Sequence, residues 1–151
     1  MGGVLDPITR EYELPCSPAQ AFETYTGRVG EWWDPRYTAN AETLEAVTIE
    51  PRLGGRVYAT HSDIGVDDWG EVTVWEPATR LVHTFTLAQD PAHPSEVSVE
   101  LIAGDSGCVM RFAHGGWTEA NAAARPKFGD WGVILERFAA LCAGVTASNR
   151  G

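Results

Sequence analysis

The segment Ile8–Leu14 reads as a first strand, with apolar side chains at Ile8, Tyr12 and Leu14 and an end at Pro15. Ser17 and Pro18 then open a helix, because Ser is a good N-cap and Pro suits the first helical position. Ala21, Phe22 and Tyr25 supply its apolar stripe, and Gly27 terminates it. A second short helical turn carries Trp32 and Trp33 and stops at Asp34 and Pro35. The pattern then changes to strands over 44–50, 56–61, 70–75, 80–87, 95–102 and 108–114. Turn residues separate them: Gly54 and Gly55, Pro77 to Thr79, a loop with Pro91 and Pro94, and Gly104 to Gly107. Asp67 and Asp68 read as a break before the third of these strands. A short segment capped by Thr118 runs through Ala124, and Pro126 sits near a new start. Phe128, Trp131, Leu135, Phe138 and Cys142 step by three, four, three and four, the apolar face of one amphipathic helix. Gly144 reads as its stop, with a frayed tail to Gly151.

The order is therefore one strand, two short helices, six strands and a long helix. A sheet of that extent needs one face covered, and the last helix is the obvious cover, giving an α+β layer. Short strands joined by turns predict a sequential antiparallel sheet. No internal repeat or second domain is visible, so the 151 residues read as a single domain with its core over about 8–143.

Charge narrows the partners. Eleven Lys and Arg against 21 Asp and Glu leave a net charge of −10, which argues against nucleic acid and against an anionic membrane surface. No stretch is apolar enough for a transmembrane helix, and the N-terminus has neither a signal-peptide pattern nor a myristoylation motif, since Asp6 stands where that motif needs Ser or Thr. Cys16, Cys108 and Cys142 form no paired motif, so a cytoplasmic location with reduced, core-packed thiols is expected. Six Trp in this length point to a wide apolar interior or a pocket.

Several segments together resemble a known family. They are Glu31 to Pro35, Ile49 to Arg56, Trp69 to Val72, Trp75 to Leu81, Gly107 to Phe112 leading to Gly115 to Trp117, and Trp131 to Phe138. In this order the chain resembles the SRPBCC (START-like, helix-grip) superfamily, and within it the activator of heat-shock-protein-90 ATPase homologue (AHSA)-like group. The resemblance implies a helix-grip (START/Bet v-like) fold: a curved seven-stranded antiparallel sheet around a long C-terminal helix, two short helices after the first strand, and a cavity between. It implies less about function, since such folds bind lipids, hormones and polyketides, and some are cyclases or chaperone contacts. The activators proper carry a further domain, so chaperone activation is not carried over.

In that fold Trp32, Trp33, Trp69, Phe85, Phe112, Phe128 and Trp131, with Leu135, would surround the helix–sheet space as ligand-binding residues. Each equally suits plain core packing. His83 alternates with Leu81, Phe85 and Leu87 and is expected on their face, and His114 alternates with Phe112 and Met110. Either could orient a ligand. His83 and Glu71 are the acid–base candidates for a polyketide cyclase or hydratase reading. His61, His83 and His114 fall on non-adjacent strands of a sequential sheet, too far apart for one ion, so no metal and no cofactor are expected. His93 lies in a Pro-rich loop. The acidic run of Asp63, Asp67, Asp68 and Glu71 lacks EF-hand spacing, and no Ser sits in a nucleophile elbow.

Nothing in the sequence assembles a nucleophile, a base and an oxyanion site. The favoured reading is a module that binds a small hydrophobic molecule under the C-terminal helix, non-catalytic or of unknown activity. The alternatives are the cyclase-like enzyme and a protein-interaction or chaperone-associated module using an exposed aromatic patch around Trp32 and Trp33, which would also suit a homodimer.

Overall fold

Residues 5–87 and 89–150 are described by a computed structural model, the last six of them by backbone alone. Residues 1–4, the start of the N-terminal stretch weighed for targeting, and the terminal Gly151 lie outside the described residues.

Strand β1 (Ile8–Leu14) leads into helix α1 (Pro18–Gly27). Ser17 caps α1 reciprocally with Gln20: its hydroxyl accepts from the Gln20 N–H at 3.1 Å, and the Ser17 N–H donates to the Gln20 side chain at 3.0 Å. This satisfies two of the helix's unpaired donors. The short α2 (Val29–Trp32) follows. Asp34 and Pro35 end it as expected, and they also start a 3₁₀ turn, Pro35–Tyr37, because the Asp34 carboxylate accepts from the Arg36 N–H at 3.0 Å.

Six further strands complete the sheet: β2 (Leu44–Ile49), β3 (Arg56–His61), β4 (Gly65–Glu76), β5 (Arg80–Phe85), β6 (Ser95–Ala103) and β7 (Cys108–Gly115). Their spatial order is β1-β7-β6-β5-β4-β3-β2, all pairs antiparallel. Consecutive hairpins therefore build the meander, and β1 closes the far edge beside β7.

The expected break at Asp67 and Asp68 is corrected: both lie inside β4. The ladder absorbs the irregularity as a bulge opposite Val57 and Tyr58, and the exposed Asp68 is held by Arg56 of the neighbouring strand. A second bulge interrupts the β4–β5 ladder at Val72 and Val74. Bulges bend and twist a strand locally, and these curl the sheet into a half-barrel.

A second 3₁₀ turn, Ala122–Phe128, replaces the helix expected from Thr118. Pro126 lies within it, and the Thr118 hydroxyl caps the preceding turn, accepting from the Ala120 N–H at 3.2 Å. Phe128 therefore precedes the long helix α3 (Trp131–Arg150) and is not on it. Gly144 does not stop α3. No Pro follows it, and Gly144 is not among the residues with positive φ, so the backbone carries on at the modest cost of a helical glycine. Trp131, Leu135, Phe138 and Cys142 are fully or almost fully buried against the concave face of the sheet.

Cys16, Cys108 and Cys142 are buried and form no disulfide, and they meet where β1, β7 and α3 converge. Among the described residues no helix is long and apolar enough to cross a membrane.

Candidate functional site

A cavity of about 380 Å³ lies between the end of β5 and the start of α3. Ligand pockets span roughly 300–1,000 Å³, so it is of useful size. Its walls are the rings of Trp33, Phe85, Phe128 and Trp131, with Leu87 and Ile134. Alternation along β5 aims Phe85 inward, the stop of α2 places Trp33, and the two turns before α3 bring Phe128 and Trp131 together. Trp33 and Trp131 meet edge to face with centroids 5.5 Å apart, and Phe85 and Phe128 do so at 6.0 Å.

The mouth is polar. Arg36, Tyr37, Thr38, Asp67, Lys127 and Asp130 rim it, beside Ala39. The Tyr37 hydroxyl donates to the Asp130 carboxylate at 3.0 Å, joining the first 3₁₀ turn to the foot of α3. That bond raises the Tyr37 pKa above its ordinary value. Arg36 is tied back to Asp34 at 2.7 Å, and its guanidinium holds the Asp34 carboxyl below the usual carboxylate range. Asp67 accepts from the Trp69 indole at 3.3 Å.

Behind this cavity lies a much smaller void, of about 10 Å³. Trp32, Trp33, Trp69, His83, Phe85 and Trp131 are among its walls. Trp33, Phe85 and Trp131 line both spaces, so these three rings separate them.

Of the residues expected around a ligand, Trp33, Phe85, Phe128 and Trp131 line the outer cavity, while Trp32, Trp69 and His83 reach only the inner void. Phe112, His114 and Leu135 line neither and are packed core. Glu71 corrects the acid–base expectation: it is exposed on the outer face of the sheet and pairs with Arg56 at 3.1 Å. The expected surface patch is corrected too, because Trp32 and Trp33 are 1% and 5% exposed. Trp32 donates its indole N–H to the Tyr25 carbonyl at 3.3 Å, and Trp33 to the Tyr37 carbonyl at 3.2 Å.

The histidines differ sharply. His83 Nδ1 lies 2.7 Å from the Thr84 carbonyl oxygen, which can only accept, so Nδ1 carries the proton. Burial pushes its pKa down to about 4. His114 Nδ1 accepts from the Trp131 indole at 3.0 Å, so in the neutral ring Nε2 carries the proton and donates to Ser95 Oγ at 2.6 Å. Burial, with smaller repulsions from His83 and Arg125, lowers the His114 pKa to about 3. With its proton on Nε2, His114 has no lone pair with which to deprotonate Ser95, so the pair is not a nucleophile and its base. His61 lies on β3, bonds Thr43 at 2.9 Å and lines neither space. Among the described residues no three His, Cys, Asp or Glu side chains are arranged to hold a metal ion.

The profile of the family described as Activator of Hsp90 ATPase homolog 1-like protein matches residues 15–143, from just before the α1 cap into α3. The chain belongs to this family. None of the curated proteins matches it. Among solved structures, the chain is similar to protein MLL2253 from Mesorhizobium loti, with 24% identity over 90% of this chain and 96% of that one and a TM-score of 0.67. It is also similar to the Aha1 dimer from Colwellia psychrerythraea, with 17% identity over 89% and 93% and a TM-score of 0.65. A third is Txn09, an anthrahydroquino-gamma-pyrone synthase, with 24% identity over 88% and 94% and a TM-score of 0.60. At these identities the likeness shows the family's fold, a curled seven-stranded antiparallel sheet with a C-terminal helix. Sequence reasoning missed Arg36, Tyr37, Lys127 and Asp130 at the mouth. Asp34 and Pro35 were legible only as a stop, and Tyr37 and Asp130 meet across 93 positions without a local signal.

Proposed function

We propose that this family member binds a small hydrophobic molecule in the cavity between β5 and α3. The observation that carries the reading is the cavity itself: about 380 Å³, walled by four aromatic rings and two aliphatic side chains, with the polar groups confined to its rim. Such a lining rewards apolar surface removed from water at roughly 25 cal/mol per Å², and the rim gives orientation. The similarity to Txn09, a synthase named for a fused-ring product, supports an aromatic cargo. A cyclase-like role has less support, because neither His83 nor Glu71 lines the outer cavity and His114 is committed to Trp131 and Ser95.

The test is a titration with Nile red, an uncharged apolar dye, in the wild-type protein and in Ala39→Trp. Ala39 is exposed at the mouth, so the larger ring obstructs entry without entering the core. Saturable binding at one site, weakened about tenfold or more in Ala39→Trp, is expected. No binding, or equal binding by the plugged variant, overturns the reading.

A further inference from the structure

The inner void holds a polar group that the outer cavity does not use. His83 is 4% exposed and sits on the inner face of β5 among the walls of that void. Its Nδ1–H is spent on the Thr84 carbonyl, so Nε2 is a lone-pair acceptor, and no donor among the described residues bonds it. It is not a sealed orphan: among the described residues the fully buried side-chain polar atom left without a partner is His61 Nε2, so His83 Nε2 keeps accessible surface and can take a donor. A space of about 10 Å³ holds one water, or one hydroxyl group, and nothing larger.

The partition in front of it is thin. Trp33 stands 5.5 Å from Trp131 and 6.3 Å from Phe85, centroid to centroid. The Trp33 indole is held by one bond, to the Tyr37 carbonyl in the 3₁₀ turn at the mouth. Trp33 itself follows the four-residue α2 as its C-cap, outside any long regular element.

We propose that His83 is the recognition group of an inner subsite, and that the ligand class is a neutral hydroxylated planar aromatic. The ligand's rings occupy the outer cavity, its edge turns Trp33 aside, and its hydroxyl donates to His83 Nε2. The proposal rests on the cavity reading above and adds to it the polarity of the ligand. An ether or carbonyl at the same edge would set lone pair against lone pair. A phenolate would bring a charge into a void with no cationic side chain among its walls, where Tyr25 contributes a neutral hydroxyl, and burial without a counter-charge penalises charge heavily. Burial also keeps His83 neutral, and so an acceptor, at any pH near 7.

The test compares 2-naphthol with 2-methoxynaphthalene, which share the ring system and differ in the donor proton. The wild-type protein at pH 7 is expected to bind 2-naphthol about tenfold more tightly, the value of one net hydrogen bond. In His83→Phe that preference is expected to vanish while the methyl ether still binds. Nitrogen-15 NMR of the wild-type imidazoles supplies a readout that needs no variant: His83 Nε2 is expected to resonate as an unprotonated nitrogen and to shift with 2-naphthol but not with the ether. Equal binding of the two probes, an unmoved His83 resonance, or a proton found on Nε2 overturns the proposal and leaves the cavity reading standing. Failure of both probes to bind removes the cavity reading, and this one with it.

Discussion

The indole nitrogen of Trp131 donates to Nδ1 of His114 at 3.0 Å, and both side chains are buried. One bond thus fixes three things. It pins the first residue of α3 to β7, it orients a ring that lines the outer cavity, and it sets the His114 tautomer. From His114 the network continues through Ser95 Oγ to Gln89 and the Phe85 carbonyl, so two cavity walls, Trp131 and Phe85, are held by the same polar chain.

His114→Phe keeps a planar ring of similar size but leaves the Trp131 N–H without its acceptor. A buried donor so stranded costs about 1–3 kcal/mol. The variant is expected to lose that much in urea unfolding, with a change in Trp emission as Trp131 relaxes. An unchanged midpoint would mean that the bond contributes nothing to stability.

Acid should destabilise the protein through the same two histidines. Their folded pKa values, about 4 for His83 and about 3 for His114, lie below the ordinary 6.5 of the unfolded chain. A depressed pKa gives stability that is present above pH 6.5 and is lost as pH falls toward the folded value, because the unfolded state takes up the protons first. A loss on the order of a few kcal/mol is expected between pH 6.5 and 4. Urea midpoints measured across that range should fall, and the fall should be shallower in His83→Phe than in the wild type. Parallel curves would show that His83 does not titrate on unfolding.

Much of this was legible in the sequence, and the reasons are local. The Ser17 and Pro18 start of α1, the four turns marked by Gly54–Gly55, Pro77–Thr79, Pro91–Pro94 and Gly104–Gly107, and the step of three and four from Trp131 to Cys142 each carry their own chemistry, and each appears where that chemistry puts it. Alternation placed His83 with Leu81 and Phe85 on one face, which is the buried one. What failed was non-local. Asp67 and Asp68 read as breakers because acidic pairs are poor in strands, yet Arg56 on the adjacent strand and a bulge accommodate them. Trp32 and Trp33 read equally as walls of the helix–sheet space and as an exposed patch, because their burial depends on Tyr25, Trp69, Phe138 and Trp131 arriving from other elements. The division of the helix–sheet space into two parts is set by ring orientation, which no pattern of residue types encodes.

Gly70 is expected to tolerate no side chain. A Cβ built there would lie 1.9 Å from the Thr84 carbonyl oxygen, a backbone atom of the neighbouring strand. Gly70→Ala must therefore push β4 away from β5 beside Trp69 and His83. Overpacking of this kind costs typically about 1–3 kcal/mol. Thermal unfolding should register that loss, whereas Gly27→Ala, where a Cβ meets nothing, should stay within about 0.5 kcal/mol. Equal stability of the two variants would contradict the close approach.

Cys108 and Cys142 should be silent in the native protein and should become a liability in alkali. Burial, reinforced by Cys16, pushes the Cys108 thiol up to about 11 and Cys142 further still. Thiolate is the reactive form, so alkylation at pH 8 is expected to proceed only after denaturation. A raised folded pKa means that the stability contributed is complete below about pH 9 and is lost as pH rises through 11. Cys108→Ala should flatten that alkaline decline in urea midpoints. Rapid native labelling of Cys108 would show that the junction of β1, β7 and α3 opens.

Tyr37 and Asp130 close the mouth with a single 3.0 Å bond between exposed elements, so their contribution to folding should be small, about 1 kcal/mol or less. Their effect on exchange should be larger, since the bond spans the route that a ligand must take. The phenol also neighbours the Tyr37 carbonyl that holds the Trp33 indole, which links the rim to the partition behind it. Tyr37→Phe is therefore expected to unfold at nearly the wild-type urea concentration while Nile red enters and leaves several times faster in stopped-flow measurements. Because both rates rise together, the equilibrium affinity should change much less than either. A loss of affinity carried entirely by faster release would instead make Tyr37 a direct contact to the bound molecule. Unchanged rates would place the entrance elsewhere on the cavity wall.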